Sequence, residues 1–182
     1  MVSSARLTSR AFAVTLLALC AGAAHAQVAG TTAAVNPDSA AGFGGTLRTL
    51  QMGAPIIRNE HVKTNAGGTV QIVFIDKTTL SVGPNSDVTI DEFVYDANTG
   101  SAKMALTMSK GLLRVVGGQA THTDNMKITT PVATVGVRGG VATVSHDAKN
   151  GTKATNLFGT MTVSGKRKRQ SNLTPGQSPW HT

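Results

Sequence analysis

The stretch Thr130-Pro-Val-Ala-Thr-Val-Gly-Val-Arg-Gly-Gly140, continued by Val141-Ala-Thr-Val144, contains the features that decide the fold. Pro131 has no N–H to give to a β-ladder, so it belongs at the start or the edge of a strand. The strand positions predicted to be buried are Val132, Val135 and Val137. The residues that permit a sharp bend or a close backbone approach are Gly136, Gly139 and Gly140. Arg138 lies in this bend and carries five donors in a rigid fork.

Short apolar runs rich in Val, Ile and Thr, separated by turn residues, extend from Thr46 along the rest of the chain. This pattern is typical of an all-β protein, because branched side chains favour the extended backbone. The continuous apolar run from Ile72 to Ile75 predicts a central strand covered on both faces. The predicted strands are Ile56–Ile57, Val62–Thr64, Thr69–Ile75, Thr79–Val82, Asp87–Ile90, Met104–Ser109, Gly111–Val116, Met126–Thr129, Thr134–Val137, Gly140–Ser145, Lys153–Leu157 and Met161–Ser164.

The spacing of these strands limits the architecture. Short, evenly spaced strands with few aromatic residues favour a β-solenoid-like stack. An irregular β-sandwich is the alternative, since no clean repeat period is visible. We expect one all-β domain over residues 46–178 and no helix in the exported chain.

Residues 1–26 predict a signal peptide. Arg6 and Arg10 precede an apolar stretch that is too short to span a membrane comfortably, and Ala24-His25-Ala26 fits a cleavage site. We therefore expect a mature chain that starts near Gln27, is periplasmic or secreted, and has no transmembrane segment. Residues 27–45, rich in Ala, Thr, Gly and Ser, are predicted to be a flexible arm.

Cysteine usage and charge exclude several functions. Cys20 lies in the signal segment, where the bulky residue before it, Leu19, disfavours lipid attachment. The exported chain then has no disulfide, catalytic thiolate or cysteine metal site.

The formal charge of +8 falls to +6 without Arg6 and Arg10. Four of these charges form a basic cluster, which consists of Lys166, Arg167, Lys168 and Arg169. We interpret the basic cluster as a solvated hairpin tip, or alternatively as a contact for an anionic membrane surface. Export and few aromatic residues argue against nucleic acid.

The Thr-Pro and Arg-Gly steps of the opening stretch resemble the FecR-type periplasmic domain, in which such steps lie between two strands. The resemblance covers roughly residues 56–176. Its further parts are Val62–Thr64, Val70–Asp76, Leu80–Ile90, Lys110–Arg114 and Leu173–Gln177. Two turn positions depart from the family pattern: Lys77 follows Asp76 where the family has glycine, and Gly140 follows Gly139 where the family often has threonine.

The resemblance implies a solenoid-like all-β fold and a role in signal transduction, in which such domains couple outer-membrane receptors to sigma-factor control. Full regulators also carry a cytoplasmic anti-sigma segment and a membrane helix, neither of which we find here. We therefore expect a stand-alone, non-enzymatic domain that binds a protein partner in the cell envelope. A structural or adhesive surface module is the alternative.

The motif residues Thr130, Pro131, Gly136, Arg138 and Gly139 are the candidate site, with either a structural or a partner-binding role. Arg138 is interpreted first as a structural lock on backbone carbonyls or on an internal acid such as Asp76 or Asp124. The alternative is that its fork grips a carboxylate or a backbone of a partner.

The sequence supports neither catalysis nor a cofactor. His146 and Asp147 are neighbours on a strand and so point to opposite faces, which argues against a base and its orienter. The remaining histidines lack metal-ligand spacing. Gly136–Gly140 lacks the lysine and the helix of a phosphate loop. We expect no catalytic residue, no metal and no cofactor.

Overall fold

The computed structural model describes residues 27–122, 125–165 and 170–176, and nearly all of their regular structure is β-strand. The strands are β1 Val28–Val35, β2 Ser39–Phe43, β3 Thr46–Thr49, β4 Pro55–Ile57, β5 His61–Thr64, β6 Val70–Phe74, β7 Thr79–Val82, β8 Asp87–Asp96, β9 Ser101–Val116, β10 Met126–Thr129, β11 Ala133–Asp147, β12 Gly151–Gly165 and β13 Gln170–Leu173. Within the described ranges the only helical element is a 3-10 turn, Gln119–Thr121. No helix there is long and apolar enough to cross a membrane.

The strands form one curled sheet in which three long strands, β9, β11 and β12, run through two halves. The first half has the order β4-β1-β6-β7-β9-β11-β12. The second half has the order β3-β2-β5-β8-β9-β10-β11-β12-β13. All pairs are antiparallel except β9 with β10. The prediction of an all-β fold is confirmed. The strands that were predicted to stack in layers form this curled sheet.

Glycines let the long strands pass from one half to the other. In β11, Val137 is buried before the bend and Ala142 after it, so the buried positions change from odd to even numbers. In strands β9 and β12 the buried positions change from even to odd numbers at the bend. The glycines at these bends, all in the left-handed region, are Gly111, Gly139, Gly140 and Gly159. The segments predicted as separate strands on either side of each bend are thus single strands.

Both halves enclose one hydrophobic core, because their buried residues belong to a single cluster. Phe74 of β6, in the first half, packs on Phe93 of β8, in the second, with ring centroids 5.2 Å apart. Both rings are almost fully buried. Aromatic pairs of this kind add about 1 kcal/mol beyond the area they bury.

The prediction that residues 27–45 form a flexible arm is wrong. Strands β1 and β2 occupy most of residues 27–45, which the composition had assigned to a flexible segment. β1 lies between β6 and β4, with Gly30 opposite Phe74, and Ala29 and Thr32 are buried. Small side chains give little local signal for a strand, so the pairing partner, about forty residues away, decides the conformation.

Two burial predictions were also wrong. The run Ile72–Ile75 is not covered on both faces, because Val73 is 39% and Ile75 is 49% exposed. Val132 is 47% exposed, whereas Val135 and Val137 are buried as predicted. A single sheet curled around its own core has an outer face that no second layer covers, so side chains alternate in and out.

The conformation of the β6–β7 turn explains why glycine suits the position of Lys77, and it yields a prediction. Lys77 is exposed and has φ 70°, a conformation that costs a residue with a Cβ about 1 kcal/mol but costs glycine nothing sterically. We expect Lys77→Gly to raise the free energy of unfolding by about 0.5–1 kcal/mol in urea denaturation. Lys77→Ala, which keeps the Cβ, should bring no gain. A loss of stability in Lys77→Gly would contradict this explanation.

Candidate functional site

Thr130 of the motif connects the two halves of the sheet from the loop between β10 and β11. It is buried, and its hydroxyl accepts the Ala133 N–H at 3.0 Å. The same hydroxyl lies 2.7 Å from that of Thr152, which is 2.9 Å from Nδ1 of His146. His146 is therefore a buried member of a polar chain inside the protein, and neighbouring Pro131 is exposed at the strand entrance.

The bend of β11 is interlocked with the bend of β12. A Cβ on Gly140 would fall on the backbone of Phe158, and one on Gly159 would lie 2.5 Å from the carbonyl oxygen of Gly139. The buried Asn156 side chain donates to the Gly159 carbonyl at 2.9 Å, and the Gly117 N–H donates to the Gly140 carbonyl at 2.8 Å. We call Gly139, Gly140 and Gly159 the corner. Its backbone is close-packed at Gly140 and Gly159, whereas Gly139 borders open space.

Arg138 and Gly136 lie beside the corner on the outer face of the second half. Both line a groove of about 380 Å³ across β10, β11 and β12. We call it the hydroxyl groove, and its lining residues are Lys127, Thr134, Gly136, Val137, Arg138, Thr160, Thr162 and Ser164. Arg138 is exposed, so its guanidinium is at the surface of the protein.

Asp76, a suggested partner of Arg138, is fully buried and has other partners. Its carboxylate accepts the Thr78 N–H at 3.0 Å, the Thr78 hydroxyl at 2.7 Å and the Ala120 N–H at 2.9 Å. The Gln119 N–H donates to the Asp76 carbonyl. Asp76 thus fastens the 3-10 turn after β9 to the β6–β7 turn. The other suggested acid, Asp124, lies outside the described residues.

A second buried acid was missed by the sequence analysis. Glu60 is 1% exposed and forms an ion pair with Arg48 at 2.5 Å, and it accepts the Ile57 N–H at 2.9 Å. Arg48 also donates to the carbonyls of Ala41 and Pro55. These contacts join β2, β3 and the β4–β5 turn. No local pattern could pair residues that the chain separates by a strand and a turn.

The ionisable groups of the described ranges do not converge on a reaction centre. His61 contacts Asp87, which also lies 3.5 Å from Lys63, at the partly exposed start of β8. No group of three His, Cys, Asp or Glu residues there could hold a metal ion. The pKa values of Asp96 and Asp147 are lowered, by hydrogen bonds chiefly from the Asn98 backbone and the Asn150 side chain respectively, and both acids are exposed turn residues.

Apolar side chains that are exposed or, at Val141, half-buried line up on the outer face of the first half, with Thr79 among them. Val73, Thr79, Val116, Val141 and Phe158 occupy consecutive register positions across β6, β7, β9, β11 and β12. Val116 is 39% and Phe158 is 68% exposed. We call Val73, Val116, Val141 and Phe158 the outer apolar row, which ends at the glycine corner.

The predicted basic cluster falls outside the described residues. It joins β12 to β13 in the sequence, and the structure neither places it nor relates it to the groove.

These features define an all-β protein whose buried polar groups hold the sheet together and whose open features lie on its outer face. The chain belongs to the FecR protein family, whose model matches residues 60–161. The resemblance inferred from the motif is thereby confirmed. No curated protein matches the sequence.

Two solved structures share the fold. They are crystal structures, at 2.50 Å and 1.65 Å resolution, of a candidate anti-sigma factor from Parabacteroides distasonis ATCC 8503, with TM-scores of 0.51 and 0.53. Each is 16% identical to this chain over 65% of its length and 52% of their own. The chain thus spans about half the length of these proteins, and at this identity the likeness concerns the fold alone.

Proposed function

We propose that the chain is an exported, non-enzymatic FecR-type domain that binds a protein partner in the cell envelope during signal transduction. FecR family membership supports a regulatory role. The buried ionisable side chains of the described ranges, such as Asp76 and Glu60, have structural partners. This use of polar groups supports binding over catalysis.

The outer apolar row is the observation that carries the proposal. Exposed apolar side chains at neighbouring positions, such as Val116 and Phe158 on either side of half-buried Val141, cost solvation free energy in the isolated domain. They are typical of protein interaction surfaces. Phe158, which is 68% exposed, is large enough to anchor an interface. The row therefore supports docking of another protein beside the corner.

The start of the sheet is compatible with export. β1 begins at Val28, two residues after the predicted cleavage position, so removal of residues 1–26 leaves its pairing with β6 intact. The basic cluster remains a candidate contact for an anionic membrane surface.

Site-specific photo-crosslinking in the native host tests partner binding. We expect p-benzoylphenylalanine in place of Phe158 to give a discrete crosslinked product with another envelope protein. The same probe in place of Met52, which is 78% exposed in the turn between β3 and β4, should give none. Crosslinks only between copies of this chain would favour the structural or adhesive alternative. Equal yields at both positions, or no product at all, would contradict the proposal.

A further inference from the structure

Most side chains that line the hydroxyl groove are polar. Along β12 its side chains are Thr160, Thr162 and Ser164, which repeat at every second residue and so point the same way. A hydroxyl both donates and accepts, so such a row can bond a peptide backbone or a carboxylate. Among the described residues that line the groove, Val137 alone has an apolar side chain. The groove is therefore suited to a polar, extended occupant.

Both charged side chains that line the groove among the described residues are positive. They are Lys127 and Arg138, and no acidic residue of the described ranges lines it. Glu92 is an acid from a neighbouring element: it lies in register with Ala105 of β9, which pairs with Lys127. It is thus two strands away, about 10 Å, and forms an ion pair with Lys103 at 3.1 Å. Charge complementarity therefore favours an anionic occupant.

Gly136 leaves the floor of the groove open. It lies between Lys127 and Thr162 in the register. Its φ is outside the left-handed region, and a Cβ would meet only Thr162, at 3.9 Å. The fold would accept a side chain at this position, in contrast to Gly140. Its absence gives the occupant access to the backbone between a lysine and a threonine.

The groove continues the outer apolar row. Phe158 and Thr160 are separated on β12 only by Gly159, at the corner. An extended segment that places an apolar residue on Phe158 therefore reaches the groove with its next residues.

We infer that the hydroxyl groove binds an acidic, extended segment of the protein partner, whose carboxylates are received by Lys127 and Arg138. This inference rests on the proposed function and names the chemistry of the partner. Guanidinium and ammonium groups form charge-assisted hydrogen bonds with carboxylates, and Arg138 can bond one in bidentate fashion.

The test uses purified protein and a fluorescein-labelled peptide of alternating Asp and Ser, titrated by fluorescence anisotropy. We expect saturable binding that weakens with salt and produces amide NMR shifts at Gly136, Thr160 and Thr162. The double variant Lys127→Glu/Arg138→Glu should bind at least about tenfold more weakly. The matched control Lys149→Glu/Lys153→Glu, at exposed positions around the β11–β12 turn, should bind as the wild type does.

Gly136→Leu keeps both cations and obstructs the floor, so it should also weaken binding about tenfold while preserving the circular dichroism spectrum. Gly136→Leu tests binding in the groove even if the double variant does not fold. Unchanged affinity in Gly136→Leu, equal binding of an Asn-Ser peptide, or full competition by inorganic phosphate at the peptide's concentration would overturn the inference. Because the peptide test needs no native partner, its failure beside a crosslink at Phe158 would remove this inference and leave the proposed function standing.

Discussion

Gly140→Ala is expected to lower the free energy of unfolding by about 3–5 kcal/mol, a large part of the stability of a small domain. Gly140 has φ 74°, so a Cβ costs about 1 kcal/mol in backbone strain alone. The added Cβ would also fall on the backbone of Phe158, which has no rotamer to change. The two strands must then separate at the corner, and this loosens the pairing on both sides.

Gly139→Ala is the matched control. Gly139 has φ 66°, similar to that of Gly140, but a Cβ there would meet nothing within 4 Å. Gly139→Ala should therefore lower the free energy of unfolding only by the backbone strain, about 1 kcal/mol. Urea denaturation followed by circular dichroism measures both variants. Equal losses in the two would show that backbone strain, and not the interlock of β11 with β12, determines the need for glycine.

Asp76→Ala is expected to lower the free energy of unfolding by about 3–5 kcal/mol. The substitution removes the acceptor of three donors, which are the Thr78 N–H, the Thr78 hydroxyl and the Ala120 N–H. All three contacts are buried, so water cannot readily replace the lost carboxylate. The 3-10 turn would lose its bond from the Ala120 N–H and keep the bond from the Gln119 N–H to the backbone carbonyl of residue 76.

Asp147→Ala is the control that shows whether the burial of the hydrogen bonds, and not their number, determines the loss of stability. Asp147 accepts the N–H groups of Lys149 and Asn150 and the Asn150 side-chain amide, but these bonds are exposed. Solvent can take over each of them, so the loss should be much smaller than in Asp76→Ala. Similar losses in urea denaturation would contradict the account of Asp76.

Alternating apolar residues were sufficient to predict most of the fold. The bounds of Thr79–Val82 and Met126–Thr129 agree with the structure, because each is a short strand with its own turn signals. The continuity of β9, β11 and β12 could not be predicted in this way. A glycine that ends a strand and a glycine that bends one have the same local sequence, and only the interlock with another bend distinguishes them.

The site was less predictable than the fold. The motif pointed to Arg138 and Gly136, but the groove also needs Lys127, Thr160 and Thr162, which come from other strands. Their association depends on the register of β10, β11 and β12. The partners of Asp76 could not be foreseen for the same reason, since Ala120 is brought to it by the path of β9. No local sequence pattern predicts the register in which distant strands pair.

The central claim is that the corner is scaffold and that the outer face beside it binds. Its most direct test is the yield of partner crosslinking from a photoreactive residue in place of Val116, measured in a Phe158→Ser/Arg138→Glu background alongside the urea midpoint. We predict that the yield falls at least about tenfold while the midpoint stays within experimental error, because both side chains are exposed. An unchanged yield, or a yield that falls only as far as the folded fraction does, would contradict the claim.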